Sequence, residues 1–190
     1  VFHQMAALPS SLPGKYLLAT EQQTAGATLD HLKDVLLNLP EYSFEELTGE
    51  AEAAGLGANG VQFTPWLNGE RTPLDDARIR GAYSNISLTA TRGSLMRATL
   101  EGVAMNVRWM QHYTEKLAGS RHDSIAFIGG GASSDLWSQI FADVLGREIL
   151  GPIIRLFGLK GATGIFASQK LSVFALVIGS FAVTTMLTKN

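Results

Sequence analysis

The hydrophobic and polar positions between residues 123 and 148 predict a strand, a glycine turn and an amphipathic helix, in that order. An apolar run at 125–128 is followed directly by three glycines at 129–131, and Ser133 and Ser134 can then cap a helix. The apolar residues of that helix form one stripe: Leu136, Trp137, Ile140, Phe141, Val144 and Leu145. Glycine lets a ligand approach the backbone, and free N–H groups at a helix start favour negative charge. The pattern therefore indicates either a phosphate or nucleotide site or, as is common in α/β domains, a purely structural turn.

The N-terminal part of the chain predicts a short strand at residues 15–19 and then a helix. From Thr24 the pattern is helical until Pro40. The apolar face of this helix is formed by four leucines: Leu29, Leu32, Leu36 and Leu39. Gly26 lies in its first turn, although glycine costs about 1 kcal/mol in a helix interior. We therefore expect a close approach at Gly26, either by a ligand or by a neighbouring strand.

A capped helix and a second strand follow. Ser43, with Glu46 three residues later, predicts a capping box for a helix that runs to Ala54. Residues 60–67 alternate as a strand does, and Pro65 indicates an edge or a bulge in it.

The longest predicted helix covers residues 94–118 and ends at Gly119. Its core stripe consists of six residues: Met96, Leu100, Val103, Val107, Met110 and Leu117. Gly102 lies within this helix and suggests close packing against another helix. With the strand and helix that follow, the order of elements is typical of an α/β fold.

Two charged pairs occur in the middle of the chain. Arg97 and Glu101 are spaced as an i, i+4 pair on the long helix, and we expect an internal ion pair there. The loop 68–80 is charged, and it is either simply solvated or fixed by a buried ion pair between Glu70 and Arg71.

The last segment, residues 171–188, has no charged residue and lies at the lower edge of the length that spans a membrane. Glycine, serine and threonine residues dilute its hydrophobicity. We expect a buried or surface-docked terminal helix, with membrane insertion as the alternative.

Composition removes several function classes. The 190 residues include 15 basic and 17 acidic side chains, and no basic stripe with interleaved aromatics predicts a nucleic-acid partner. The absence of cysteine excludes disulfides and thiolate chemistry, and the four histidines lack metal-ligand spacing, so we expect no protein metal site. No signal peptide is evident, and the start at valine rather than methionine suggests a fragment or a processed start.

Four blocks in the same order, at 13–34, 60–81, 87–109 and 125–148, resemble the C-terminal domain of FGGY carbohydrate kinases, in particular its xylulokinase-like members. The blocks contain GERTP, RATLEGVA and GGGASSDLWSQIFADVLGR. The resemblance implies an actin-like, ribonuclease-H-type ATPase fold, either as a single domain or as a partial domain of a two-domain sugar kinase. It implies a nucleotide-side domain at 1–150 and a weakly matching apolar segment at 151–190.

The resemblance also implies the cofactors ATP and Mg²⁺, and it places six residues at the nucleotide: Gly130, Gly131, Ala132, Asp135, Gly26 and Asp30. The first three line the adenosine pocket, and Asp135 contacts the base or the ribose. Gly26 lies close to the phosphates, and Asp30 makes a polar contact with the nucleotide. GERTP is implied to be structural.

The family pattern is incomplete in this chain. No DxGT-like phosphate loop occurs, and Ala90 and Asn85 stand where the broad pattern has His and Gly. We therefore expect the catalytic base in a missing N-terminal domain and no catalytic residue here. The implied function is the nucleotide side of a cytoplasmic, ATP-dependent kinase that phosphorylates a ketopentose, D-xylulose, to D-xylulose 5-phosphate. The alternative is a truncated or degenerate, non-catalytic nucleotide-binding or interaction module.

Overall fold

A six-stranded mixed sheet forms the centre of the computed structural model. The structure describes residues 4–10 and 13–150, together with the backbone of two further strands nearer the C-terminus. In chain order the strands of this sheet are β1 (Ala6–Pro9), β2 (Lys15–Thr20), β5 (Ser124–Gly129), β6 (Glu148–Leu150), β7 (Phe174–Ile178) and β8 (Ala182–Thr188). Their spatial order is β1-β2-β8-β7-β5-β6, and β5 pairs in parallel with both β6 and β7. The predicted α/β class is confirmed, and both the strand at 15–19 and the strand before the three glycines are present.

The described part of the chain also contains four helices and a separate hairpin. The hairpin pairs β3 (Gln62–Thr64) with β4 (Ala82–Ser84). Strand β3 is shorter than the predicted strand at 60–67 because proline, which follows at 65, cannot donate to a ladder. The helices are α1 (Gly26–Asp30, continued as a π-helix over His31–Leu36), α2 (Phe44–Ala54), α3 (Arg92–Ala118) and α4 (Asp135–Leu145).

Side-chain caps determine where three of these helices begin. The predicted capping box of α2 is confirmed, with Ser43 and Glu46 bonded reciprocally. Helix α3 begins two residues before the predicted start, because Thr91 caps it by accepting a hydrogen bond from the Ser94 N–H. At α4 the cap is Ser134, which accepts from the Trp137 N–H. In each case a side-chain oxygen satisfies one of the N–H groups that the first helical turn leaves unpaired.

The first helix differs from its prediction. Its α-helical part has only five residues, and the π-helix that follows is bonded with i→i+5 spacing, as from the Leu37 N–H to the Leu32 carbonyl at 2.9 Å. This wider turn breaks the 3.6-residue period on which the leucine face was predicted. Leu29 and Leu32 are buried, but Leu36 is 54% exposed, so its place on the apolar face was predicted wrongly.

The predicted terminal helix over 171–188 is also wrong. In its place the chain forms β7 and β8, which lie between β5 and β2 in the sheet. An uncharged run rich in valine, phenylalanine and threonine suits a strand as well as a helix, and periodicity alone does not separate the two. The remainder of 151–190 lies outside the described residues. Among the helices that the structure describes, none is long and apolar enough to cross a membrane.

Helix α3 lies at the centre of the hydrophobic core. It contacts β2 and α1 on the sheet side, α2 and α4 along its flanks, and β3 of the hairpin. Gly102 permits the contact with β3, because a Cβ atom at this position would overlap the Phe63 carbonyl oxygen. The close packing expected at Gly102 is therefore real, but the partner is a strand and not a helix.

One of the two charged pairs forms as predicted, and the other does not. Arg97 and Glu101 form a buried ion pair on α3 at 2.6 Å, and Glu101 also accepts from the Gly57 N–H. Glu70 is buried too, but it accepts a hydrogen bond from the backbone N–H of Arg71, whose guanidinium instead pairs with Glu21 at 3.0 Å. A buried carboxylate can be satisfied by N–H donors without a counter-ion.

We expect Gly102→Ala to lower the free energy of unfolding by about 1–3 kcal/mol, because the added methyl group would overpack against β3. Gly49→Ala is the matched control, since this glycine of α2 has open space around it and the change should stabilise by up to about 1 kcal/mol. Urea unfolding of both variants measures the difference. Equal effects of the two substitutions would contradict the packing described at Gly102.

Candidate functional site

Two segments that are distant in sequence meet at one edge of the sheet. Strands β2 and β5 point in the same direction, because β2 is antiparallel to β8, β8 is antiparallel to β7, and β7 is parallel to β5. The segments after β2 and β5 therefore leave the sheet at the same edge. Ligands of α/β sheets bind at this carboxyl edge. A cavity of about 290 Å³ lies there, and both segments line it.

The predicted residues from the two segments line this first cavity together. Gly26 and Asp30 come from α1, whereas Gly130 and Gly131 come from the turn after β5. That turn is a short 3-10 helix, Gly130–Ser133, entered through Gly129 at φ +100°. The Ser133 hydroxyl donates to the Gly130 carbonyl at 2.7 Å, so the turn is closed by its own side chain. Pairs of residues about one hundred positions apart thus share one opening.

The two glycines of the turn have different surroundings. A Cβ atom on Gly131 would lie 2.9 Å from the Trp137 ring and 3.2 Å from the Phe127 ring, so this glycine is required by packing. A Cβ atom on Gly130 would have no atom within 4 Å. Gly131 therefore seats the turn on the aromatic core, and Gly130 leaves its backbone open to the cavity.

Helix α2 supplies a third wall. Phe44 and Thr48 lie one helical turn apart and line the first cavity opposite the glycine turn. The same two side chains, with Ser133 and Ser134, also line a second cavity of about 620 Å³. Phe44 is 45% exposed, so part of its ring is accessible, and the Lys33 Nζ atom lies over the ring at 6.0 Å from its centroid. The two cavities are therefore neighbours with Phe44 at their boundary.

Three carboxylates line the second cavity. Glu45 and Glu52 come from α2, and Asp135 is the first residue of α4. Among the described residues that line the two cavities, there is no lysine, arginine or histidine. The second cavity consequently favours hydrogen-bond donors and repels anionic groups.

Ala132 is the predicted residue that lies apart from the others. It is 4% exposed and belongs to the hydrophobic core around Trp137, and it is not among the described residues that line either cavity. Gly26, Asp30, Gly130 and Gly131 line the first cavity and Asp135 lines the second.

The wall formed by α2 was not predicted from the sequence. Its signal was the capping box at Ser43, which makes Phe44 the first residue of the helix and places Thr48 on the same face. An aromatic residue at an exposed helix start buries little surface by itself. The exposed position of this aromatic residue therefore indicated a contact surface, which helical periodicity alone did not predict.

The site has groups that can bind a ligand but few side chains that could catalyse a reaction. Open backbone at Gly130 suits a phosphate or sugar, the Phe44 ring suits a planar group, and the carboxylates suit amino or hydroxyl donors. Within the part of the chain that the structure describes, no cluster of three or more His, Asp or Glu side chains could hold a metal ion.

Comparison with known proteins identifies the family. The model of the FGGY family of carbohydrate kinases, C-terminal domain, matches residues 2–153. The xylulose kinase of Staphylococcus epidermidis is 38% identical over 139 residues, which cover 73% of this chain and 27% of that protein. A gluconokinase of Bacillus licheniformis is 31% identical over 136 residues, covering 70% of this chain and 26% of that protein. This chain belongs to the FGGY family of carbohydrate kinases, whose C-terminal domain it represents.

Solved structures agree with this assignment. The xylulose kinase of Rhodospirillum rubrum matches with a TM-score of 0.60 and 26% identity, covering 88% of this chain and 36% of that chain. The gluconate kinase of Lactobacillus acidophilus matches with a TM-score of 0.59 and 19% identity, covering 72% and 33%. The actin-like kinase fold expected from the sequence is thereby confirmed. The chain spans about a quarter of the length of the curated relatives and about a third of these structures.

We expect Gly131→Ala and Gly130→Ala to separate the two roles within the turn. The methyl group at position 131 would press on two aromatic rings and should lower the free energy of unfolding by about 1–3 kcal/mol. The methyl group at position 130 enters open space and should change that free energy by less than about 0.5 kcal/mol. Thermal and urea unfolding provide the comparison, and an equal loss in both variants would count against this geometry.

Proposed function

We propose that this chain forms the nucleotide-binding side of an ATP-dependent carbohydrate kinase. The observation that carries the proposal is the first cavity, where Gly26 and Asp30 from one segment face Gly130 and Gly131 from another. The two cavities together have the size range of small-molecule sites, and they lie at the carboxyl edge of the sheet. Membership of the FGGY kinase family supports ATP as the ligand.

The charge distribution favours one orientation of the nucleotide. Three carboxylates in the second cavity would repel phosphate groups, so the phosphates belong at the glycine-lined first cavity. The base then lies against the Phe44 ring, and Asp135 accepts a hydrogen bond from the ribose or from the adenine amino group. The first cavity is lined by one carboxylate, Asp30, which would make a polar contact with the nucleotide.

ATP and Mg²⁺ fit the residues present in a limited way. Backbone at Gly26 would accommodate the phosphates, and the missing Cβ atom at Gly130 leaves room for the adenosine. Mg²⁺ commonly binds through substrate phosphates with only one or two carboxylates, so it would arrive with ATP. The ion would neutralise phosphate charge, and the chain's own residues would bind and orient the nucleotide.

For the sugar, we propose a ketopentose, D-xylulose, as the substrate of the complete enzyme. The support is the similarity to xylulose kinases, which reaches 38% identity, against 31% for a gluconokinase. Among the described residues that line the two cavities, Asp30 is the one carboxylate at the expected phosphate end, and we assign it to nucleotide contact. We propose that the catalytic base is contributed from outside these 190 residues.

We expect ATP to bind the 190-residue chain, with chemical-shift changes concentrated at Gly26, Phe44, Gly130 and Asp135. Phe44→Leu should weaken binding by about 10-fold, because stacking of a base on an aromatic ring is worth about 1–3 kcal/mol. Trp109→Leu is the matched control, since this half-exposed aromatic of α3 lies outside both cavities. Titration followed by amide chemical shifts measures both affinities. No response to millimolar ATP would refute the proposed site, and equal losses in both variants would refute the role of Phe44.

We expect the chain alone not to phosphorylate D-xylulose, because it would position ATP without supplying a base for the sugar hydroxyl. A coupled assay of ADP release, with and without D-xylulose, measures this. Sugar-dependent ADP release from the purified chain would contradict the division of roles, whereas ATP binding without turnover agrees with it.

A further inference from the structure

Glu70 is a buried carboxylate that serves as a hub for hydrogen bonds. It is 3% exposed, and its Oε1 atom accepts from the backbone N–H groups of Gln23 at 3.0 Å and Arg71 at 2.8 Å. Its Oε2 atom accepts from the Asn106 side-chain amide at 2.8 Å. No lysine, arginine or histidine of the described residues forms an ion pair with it. Burial raises the pKa of this carboxyl, although the N–H donors oppose the shift.

The contact with Gln23 fixes the segment that enters the nucleotide site. Residues 21–25 connect β2 to α1, and the residue that follows them, Gly26, lines the first cavity. The Thr24 hydroxyl donates to the Pro65 carbonyl, which ties the same connection to the chain before Glu70. The ion pair between Glu21 and Arg71 is exposed and contributes little. Glu70 is therefore one of two part-buried attachments of this connection, beside the hydrogen bond from Thr24 to Pro65.

Asn106 fixes the other side of Glu70 to the central helix. This residue of α3 is 4% exposed, and its Oδ1 atom accepts from the Trp66 indole N–H at 3.2 Å. Its amide orientation is therefore set from both sides. The indole can only donate, and the ionised carboxylate can only accept.

We propose that Glu70 is a positioning residue of the nucleotide site, which holds the 21–25 connection so that Gly26 and Asp30 face Gly130 across the first cavity. The inference rests on the proposed function for its ligand, ATP. Glu70 lines neither cavity among the described residues, so it acts through Gln23 and not by touching the nucleotide.

Glutamine cannot replace Glu70 without leaving a conflict. In Glu70→Gln the new amide nitrogen would face either the Asn106 amide nitrogen or the two backbone N–H groups. Flipping the Asn106 amide would remove the first clash but would set its nitrogen against the Trp66 indole N–H. In every arrangement two donors meet, and an unsatisfied buried polar group is costly.

The double variant Glu70→Gln/Asn106→Asp removes this conflict. The amide at position 70 then accepts from Gln23 and Arg71 and donates to the carboxylate at position 106, which also accepts from the Trp66 indole. Every donor of the network has an acceptor again, and the net charge equals that of the wild type. Asn106→Asp alone would place two carboxylates in contact, and it should lower ATP affinity below that of the wild type and of the double variant.

The experiment measures amide exchange and ATP affinity in the full 190-residue chain under conditions where every variant is folded. We expect Glu70→Gln to accelerate exchange at the Gln23 amide by about 10-fold or more, because the conflict either sets a donor against this amide or displaces the side chain that accepts from it. ATP affinity should fall by about 10-fold, while exchange in β5 and in α4 stays unchanged. The double variant should restore both quantities to within about 3-fold of wild type.

Glu50→Gln is the matched control, since it removes the same charge from an exposed ion pair with Arg92 and should change neither quantity. Unchanged Gln23 exchange and ATP affinity in Glu70→Gln would overturn the proposal. A second result would also overturn it: the double variant restores the protection of the Gln23 amide but does not restore the ATP affinity that Glu70→Gln lost. If the wild-type chain does not bind ATP, the proposed function fails, and exchange at Gln23 alone decides whether Glu70 holds the connection.

Discussion

The burial of α3 is the constraint on which the other elements depend. This helix is contacted by the sheet, by two flanking helices and by the β3–β4 hairpin, so the polar groups on its buried faces must find partners inside the protein. The Arg97–Glu101 pair satisfies two of them, and Asn106 satisfies another through Glu70. Two glycines allow backbones to approach it, Gly93 on the side of α2 and Gly102 on the side of β3. A helix enclosed in this way fixes the relative positions of everything that packs on it.

The candidate site takes its shape from this arrangement. Helix α2 packs along α3, which carries Phe44 to the mouth of the cavity formed by the segments after β2 and β5. The glycine turn is itself seated on α3, because the Trp137 indole beneath Gly131 donates to the Leu100 carbonyl at 3.3 Å. Each wall of the site is therefore attached to the same helix, and none of the three walls is a free loop.

The sequence predicted local elements well and long-range relations poorly. The capping box of α2, the buried pair on α3 and the strand, turn and helix around Gly130 all follow from patterns within a few residues, and all are present. The uncharged tail was ambiguous, because only its pairing with β5 and β2 decides that it forms strands. Likewise, the capping box at Ser43 places Phe44 at a helix start but does not predict that Phe44 lines a cavity together with the glycine turn.

The placement of β7 and β8 has a consequence for the width of the site. The two strands that deliver Gly26 and Gly130 to the sheet edge are not neighbours, since β8 and β7 lie between them. Three strand spacings of about 4.8 Å place β2 and β5 about 14 Å apart. The distance between the segments that follow β2 and β5 is thus set by the two strands that lie between them, and not by the residues that line the cavity. Residues 174–178 and 182–188 form these two strands, so they determine how far apart the two sides of the cavity lie.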